Sequence, residues 1–213
     1  MRTLGILGGK DVSADAVSSW VQSAEFVIAA DQGADLIPVH IRVPDVLIGD
    51  LDSVSETGKE RAKRVIHDSC QETTDTEKLL QFCERESLGQ VTLLGVEGDL
   101  LDHVLANLYC IAKTELDVRL ALRSGMMWSV RSAQPRSLAL PIGRRVSLLP
   151  IESCEGVNLD GVQWPLSNAA LAPGAVYSIS NRSTSSFVEV SLGSGTALLF
   201  AQLLEDEMPR WDG

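Results

Sequence analysis

Four carboxylates stand in three short motifs beside apolar runs. Asp50 and Asp52 lie in Gly49-Asp50-Leu51-Asp52-Ser53, Asp75 in Thr74-Asp75-Thr76-Glu77-Lys78, and Asp102 in Asp102-His103. In an extended segment, side chains at i and i+2 point the same way. Two such carboxylates repel and raise one another's pKa unless a cation sits between them. Magnesium accepts a few carboxylates and completes its shell with water and substrate phosphates. On spacing alone, a solvated turn or an Asp and Ser capping the next helix is a slightly simpler account.

The second motif adds to the first. Thr74-x-x-Glu77 fits a capping box with Thr74 as N-cap. Asp75 then falls in the first turn, near the positive end of the helix dipole. Lys78 lies three residues on, on the same face. An acid and a lysine side by side at a helix start can hold a metal and a phosphate together, although an ordinary surface pair has the same spacing. The third motif, Gly95-Val96-Glu97-Gly98-Asp99-Leu100-Leu101-Asp102-His103, is a glycine-bearing loop between a strand and a helix that Asp102 caps or begins. Backbone amides at such a place favour anions. His103 in a first helical turn is as often structural as functional, and Asn107 shares its face.

Two weaker matches are set aside. Gly8-Gly9-Lys10 has part of a P-loop, but the full spacing needs Gly where Leu4 stands and Ser or Thr where Asp11 stands. Gly193-Ser194-Gly195 reads as a turn between strands.

Positioning these motifs requires strand ends. Apolar runs predict strands at Thr3–Leu7, Phe26–Ala30, 46–48, Val91–Leu94 and Val118–Leu122. Helical periodicity predicts helices at Ser13–Ser23 (Ala16, Val17 and Trp20 on one face), Asp75–Arg85 and Val104–Lys113. Alternating strands and helices imply βαβ units and a parallel sheet with helices on both faces. Ligands bind such sheets at the carboxyl ends of the strands. Asp31, Asp50, Asp52, Gly95 and Gly98 all follow predicted strands.

After about Ser124 the helical period disappears. Short β-like runs follow at Met127–Val130, Arg145–Leu149, Val157–Leu159, Val176–Ile179, Phe187–Ser191 and Thr196–Phe200, separated by Gly, Pro, Asn and Ser. Several alternate polar and apolar residues, the pattern of an antiparallel sandwich or barrel. The change of texture places a boundary within residues 124–134.

Composition narrows the function classes. The 213 residues suffice for a substantial core. A net charge of -11 argues against a general nucleic-acid or anionic-membrane binder, which needs a basic face. The acids Glu205, Asp206 and Glu207 read as a solvated tail. Cys70, Cys83, Cys110 and Cys154 form no CxxC pair and no cluster with the histidines, so reduced thiols in a cytoplasmic protein are expected rather than zinc. No apolar stretch reaches membrane-spanning length, and the N-terminus reads as a strand and turn rather than a signal peptide.

Taken in order, the motifs resemble those of thiamine pyrophosphokinases. They are Ala30-Asp31-Gln32-Gly33-Ala34, Pro44-Asp45-x3-Gly49-Asp50-x-Asp52-Ser53, Thr74-Asp75-x2-Lys78 and Gly95-x2-Gly98-x3-Asp102-His103-x3-Asn107. Later come Val146-Ser147-Leu148-Leu149-Pro150, Gly161-x2-Trp164-Pro165-Leu166 and Ser178-Ile179-Ser180-Asn181. The resemblance spans nearly the whole chain, and its first three motifs are specific only together.

The resemblance implies an α/β domain with a mainly parallel, Rossmann-like sheet over residues 1–130, binding ATP and magnesium. It implies an all-β sandwich over 131–213, binding thiamine, and a homodimer with the active site near the subunit interface. Diphosphate would pass from ATP to the thiamine hydroxyl, giving thiamine diphosphate and AMP. By residue match, Asp50, Asp52 and Asp75 would hold Mg2+, and Asp75 and Asp102 would stand at the reacting centre. Asp31, Ser53, Lys78, His103 and Asn107 would belong to the nucleotide site. Ser180 and Asn181 would belong to the thiamine pocket. Trp164 is the first candidate to stack on a heterocycle, and a sandwich core position is the equal alternative.

Three positions depart from the family pattern. Asp99-Leu100 stand where Gly-Arg is usual, Gln32 replaces a Gly, and Arg182 follows Asn181 where an acid is common. An arginine–phosphate contact is charge-assisted and can be bidentate. Its uncompensated loss would cost about 1.5–3 kcal/mol. Lys10, Arg123, Arg131 and Arg182 are cations able to replace it, and spacing selects none. Another hydroxymethyl heterocycle, such as a 6-hydroxymethylpterin, is the alternative acceptor. A non-catalytic nucleotide- or thiamine-binding homologue is the alternative class.

Overall fold

A computed structural model describes residues 1–98, 100–175 and 178–212. Asp99, and Val176 and Tyr177 of the expected strand Val176–Ile179, lie outside the described residues. The chain divides into two compact units, Met1–Arg123 and Ser124–Gly213.

The first unit alternates strands and helices. Its elements are β1 (Thr3–Ile6), α1 (Ala14–Ser23), β2 (Phe26–Ala30), β3 (Val46–Gly49), α2 (Glu56–Arg61), β4 (Val65–His67), α3 (Asp75–Arg85), β5 (Gln90–Leu94), α4 (Leu101–Ala112) and β6 (Asp117–Leu122). The strands lie in the order β6-β5-β1-β2-β3-β4, and every pairing is parallel. β1 and β3 are buried along their whole length, as strands covered on both faces must be. That is why they read as unbroken apolar runs.

Chain order sets the ligand position. From β1 the chain moves outward through β2, β3 and β4. It then returns, and β5 pairs on the other side of β1. The reversal makes a topological switch point between β1 and β5, where open α/β sheets bind ligands. The loops leaving these two strands are tied together. Leu7 N donates to Leu94 O at 2.8 Å and Gly9 N to Gly95 O at 2.9 Å.

Local chemistry starts the helices where the sequence suggests. Ser13 caps α1 by accepting from Ala16 N at 3.2 Å, and Val17, Trp20 and Val21 bury the inner face. Thr74 and Glu77 close a reciprocal capping box on α3, with both hydrogen bonds at 3.1 Å. Leu79, Leu80 and Phe82 of α3 are buried, each worth roughly 1.5–3 kcal/mol of transfer free energy. In this unit α2, β4 and a 3₁₀ turn at Asp31–Leu36 have no counterpart in the sequence reading. α2 (ETGKER) has no apolar stripe and begins because Ser55 accepts from Gly58 N at 3.1 Å. β4 is three residues long and mostly exposed.

The second unit is two antiparallel sheets. β7 (Gly125–Arg131), β14 (Thr196–Gln202), β9 (Arg145–Pro150) and β12 (Ser178–Arg182) pair in that order. β8 (Arg136–Ala139), β13 (Phe187–Ser191), β10 (Cys154–Asp160) and β11 (Leu166–Leu171) form the other sheet. Inward and outward residues alternate: Val188 and Val190 are buried while Phe187 and Glu189 are exposed. β8 (RSLA) is short, and β11 (LSNAAL) lacks β-branched and aromatic residues, so neither reads as a strand by itself. The acidic run at the end is a 3₁₀ turn, Glu205–Glu207, and it is not wholly solvated, because Glu207 pairs with Arg144 at 2.9 Å.

All four cysteines are unpaired, and Cys83, Cys110 and Cys154 are buried. Burial pushes the Cys83 thiol up to about 12, which makes it inert. Among the described residues, no helix is long and apolar enough to cross a membrane.

Candidate active site

A cleft of about 410 Å³ lies within the first unit. Leu7–Lys10 after β1 and Gly95 after β5 form one wall. Asp31 and Gln32 after β2, and Asp50 and Ser53 after β3, form another. Asp75, Thr76 and Lys78 of α3, with His103 and Asn107 of α4, contribute helix side chains. Strand ends and helix starts therefore converge at the switch point.

Asp31 is the buried end of an acidic triad. Its carboxylate and those of Asp50 and Asp52 each offer an oxygen within 4.8 Å of the others. Asp31 is 4% exposed and holds a left-handed backbone, φ 42°. Gly49 permits the close approach, since a Cβ there would lie 3.1 Å from Asp31 Cβ. Asp31 Oδ1 accepts from Val54 N at 3.1 Å, and Asp35 Oδ2 accepts from Ser55 N at 2.8 Å. These two bonds pin the Asp50–Ser55 loop over the end of β2.

Asp50 and Asp52 come together for a reason other than strand periodicity. Leu51 between them has φ 64°, so the segment turns instead of extending. Asp50 Oδ1 accepts from Asp52 N at 3.4 Å, and Ser53 Oγ donates to Asp52 Oδ1 at 2.7 Å. Asp50 Oδ2 also accepts from Gln71 Nε2 at 3.0 Å, which draws its pKa below the ordinary value. Burial, then the charges of Asp75, Asp50 and Asp52, raise the pKa of Asp31.

Asp75 lies outside the triad, on the cleft wall. Burial raises its pKa against the opposing charge of Lys78, whose ammonium stands 3.7 Å from Asp75 Oδ1. Thr76 Oγ1 donates to Asn107 Oδ1 at 2.7 Å and ties α3 to α4. Asp102 is exposed in the first turn of α4 and does not line the cleft. It is the second residue of the helix and neither begins nor caps it: the helix starts at Leu101, and the N-cap is Leu100, which makes no side-chain capping bond.

In the second unit, Trp164, Ser180 and Asn181 are neighbours. Trp164 is 57% exposed, so it is not sandwich core. Asn181 is buried and brackets the Trp164 backbone. Its Oδ1 accepts from Trp164 N at 3.1 Å, and its Nδ2 donates to Trp164 O at 2.8 Å. Ser180 is exposed with φ 57°, and its N–H donates to Ser147 Oγ at 3.0 Å.

The sequence reading missed Gln71 and Thr76, and it set aside Gly8-Gly9-Lys10. Gln71 sits in a segment with no periodic signal. Thr76 was hidden inside the capping motif. The glycine pair after β1 was the available sign of a close backbone approach.

Fold and site define a class: an α/β unit with an oxygen-rich acidic cleft at its switch point, and a β-sandwich unit. Models of the thiamin pyrophosphokinase catalytic domain and of the thiamin pyrophosphokinase vitamin B1 binding domain match residues 17–122 and 135–197. The chain belongs to the thiamin pyrophosphokinase family. It is 22% identical to the thiamine pyrophosphokinase of Bacillus subtilis over 93% of this chain and 98% of that one. It is 25% identical to thiamin pyrophosphokinase 1 of Caenorhabditis elegans over 94% and 88%. The solved thiamin pyrophosphokinase from Candida albicans shares the fold with a TM-score of 0.79 at 15% identity, covering 95% of this chain and 90% of that one.

Proposed function

We propose that the chain is an ATP:thiamine diphosphotransferase. The observation that carries this reading is the acidic triad and the Asp75–Lys78 pair around one switch-point cleft, in a chain whose catalytic and vitamin B1 binding domain matches are both present. The thiamine hydroxyl oxygen attacks the β-phosphorus of ATP. The bond from that phosphorus to the α–β bridging oxygen breaks, and AMP leaves with that oxygen. The hydroxyl proton passes to a base. Such transfers are catalysed mainly by positioning and charge neutralisation.

The triad fits Mg2+, whose preferred donors are carboxylate oxygens at a site that keeps room for water and phosphate. Asp31, Asp50 and Asp52 would hold the ion, and Asp75 lines the same cleft. Bound there, it would neutralise phosphate charge. Asp75 carries a raised pKa on the cleft wall, which suits it to orient the hydroxyl and take its proton. Lys78, His103, Ser53 and Asn107 are placed to meet the nucleotide. Asp102, exposed one turn before Ala106 of the cleft wall, remains a candidate for the acceptor side of the reaction. Trp164, Ser180 and Asn181 are read as the thiamine-recognising set. The likeness implies a homodimer, and the exposed Leu101, Leu105 and Tyr109 on one face of α4 supply an apolar stripe that association would cover. Unpaired thiols support a cytoplasmic location.

Purified protein incubated with ATP, Mg2+ and thiamine should yield AMP and thiamine diphosphate in equal amounts. No AMP under any metal condition would sink the enzymatic reading. AMP formed only with another hydroxymethyl heterocycle would keep the chemistry and change the acceptor.

A further inference from the structure

The cleft has a charge problem. Its wall carries Asp31, Asp50 and Asp75, with Asp52 beside them, while the described lysines on it are Lys10 and Lys78. A nucleotide polyphosphate entering there needs cations beyond a metal ion. Lys78 is already engaged, being 3% exposed and paired with Asp75. Leu100, at the start of α4, offers no charge and is 65% exposed. Arg123 pairs with Asp11 at 3.6 Å. Arg182 donates to Gly143 O at 3.2 Å, and Arg131 is buried in β7. None of the three arginines lines the cleft.

Lys10 does line it, and its backbone is fixed there. The Gly8-Gly9-Lys10 loop leaves β1 at the switch point and seats against the loop leaving β5. Gly9 N donates to Gly95 O at 2.9 Å, and Lys10 N to Gly98 O at 3.4 Å. A Cβ at Gly9 would collide with the carbonyl oxygens of Gly95 and Glu97, so only glycine lets the loops meet this closely. The Lys10 side chain is exposed, and no ion pair holds it among the described residues. A lysine on a rigid loop is a movable point charge of the kind that binds phosphate.

We propose that Lys10 binds the polyphosphate of the nucleotide and supplies the charge that Leu100 does not. This rests on the reading of the cleft as an ATP site. Titration calorimetry with Mg2+-ATP on the full chain tests it, using wild type, Lys10→Gln and Lys10→Arg at low and moderate salt. Lys10→Gln should weaken binding about tenfold, the usual scale of one charge-assisted contact. Lys10→Arg should stay within about threefold of wild type, because the charge remains. Binding to Lys10→Gln should also depend less steeply on salt, and its unfolding midpoint should match wild type. Wild-type affinity in Lys10→Gln, or equal weakening in both variants, would overturn the proposal. Because binding is read directly, a wild type that binds Mg2+-ATP without forming AMP defeats only the catalytic reading, and the same titrations still decide Lys10. A wild type that binds no Mg2+-ATP defeats both.

Discussion

The Lys78 ammonium stands 3.7 Å from the Asp75 carboxylate, and the two are unequally solvated: Lys78 is 3% exposed and Asp75 42%. Both line the cleft, the lysine almost wholly buried and the aspartate half-exposed. Burial raises the Asp75 pKa, and Lys78 opposes it. Lys78 therefore offsets part, though not all, of what burial costs the charged Asp75 carboxylate on the cleft wall.

Because one member reaches solvent, the pair should contribute little to stability. A double-mutant cycle of Asp75→Asn and Lys78→Met, read by urea unfolding, should give a coupling of about 0.5–1 kcal/mol. Each single variant should lose about 10²-fold or more in turnover, since both face the proposed reaction centre. A coupling of 3 kcal/mol or more, the figure for breaking a fully buried pair, would show that the cleft is closed to water.

Asp31 trades stability for charge. Burial and three neighbouring acids raise its folded pKa. For an acid with a raised folded pKa, the ionised form costs stability above that pKa, and the cost disappears as pH falls through it. Asp31→Asn keeps the acceptor for Val54 N and removes the charge. Without metal at pH 7 it should melt at a higher temperature than wild type, and the gap should close on acidification. Added Mg2+ should raise the wild-type midpoint and leave the variant unmoved. A variant less stable than wild type at pH 7 would mean that Asp31 is already neutralised there.

The parts legible in the sequence share a physical reason. Strands buried on both faces, such as β1 and β3, must be unbroken apolar runs, and a capping box announces α3 through Thr74 and Glu77. Asp50 and Asp52 were found as chemistry but for the wrong geometry, because a left-handed Leu51 leaves no mark in residue type. Asp31 was assigned to nucleotide binding, and its place beside Asp50 and Asp52 was not foreseen. That proximity comes from β2 and β3 lying next to each other, a long-range pairing that local pattern does not carry. Lys10 was one of four candidate cations until the switch point put its loop on the cleft wall.

Asp45 should make the first unit acid-labile. Its carboxylate accepts from Val27 N at 2.9 Å, Arg42 Nη2 at 2.7 Å and Lys63 Nζ at 2.7 Å. Burial pulls its pKa up, but the bonds from Lys63 and Val27 and the charge of Arg42 outweigh burial, so the net shift is downward. A depressed folded pKa contributes stability above the unfolded value, near 3.9, that is lost as pH falls through the folded value. Asp45→Asn should cost about 2 kcal/mol at pH 7 by urea unfolding. Its deficit should shrink below about pH 4, as the wild type loses the same bonds. A pH-independent deficit would assign the cost to shape instead of charge.

Trp164 presents an aromatic face to solvent while its backbone is clamped by Asn181, which separates a recognition role from a packing role. Trp164→Ala removes little buried area, so its unfolding free energy should stay within about 0.5 kcal/mol of wild type. If the ring stacks on the acceptor heterocycle, the same change should raise KM for thiamine about tenfold and leave KM for ATP unchanged. Trp164→Phe should recover most of the loss, since a π-face remains. Asn181→Ala should do the opposite in stability, costing about 2 kcal/mol because the buried Asn181 side chain gives up its bonds to both Trp164 backbone groups. Its thiamine KM should rise as well, because the clamp that aims Trp164 is gone. An unchanged thiamine KM in Trp164→Ala would remove the tryptophan from the acceptor site and leave Ser180 and Asn181 to form it without a stacking partner.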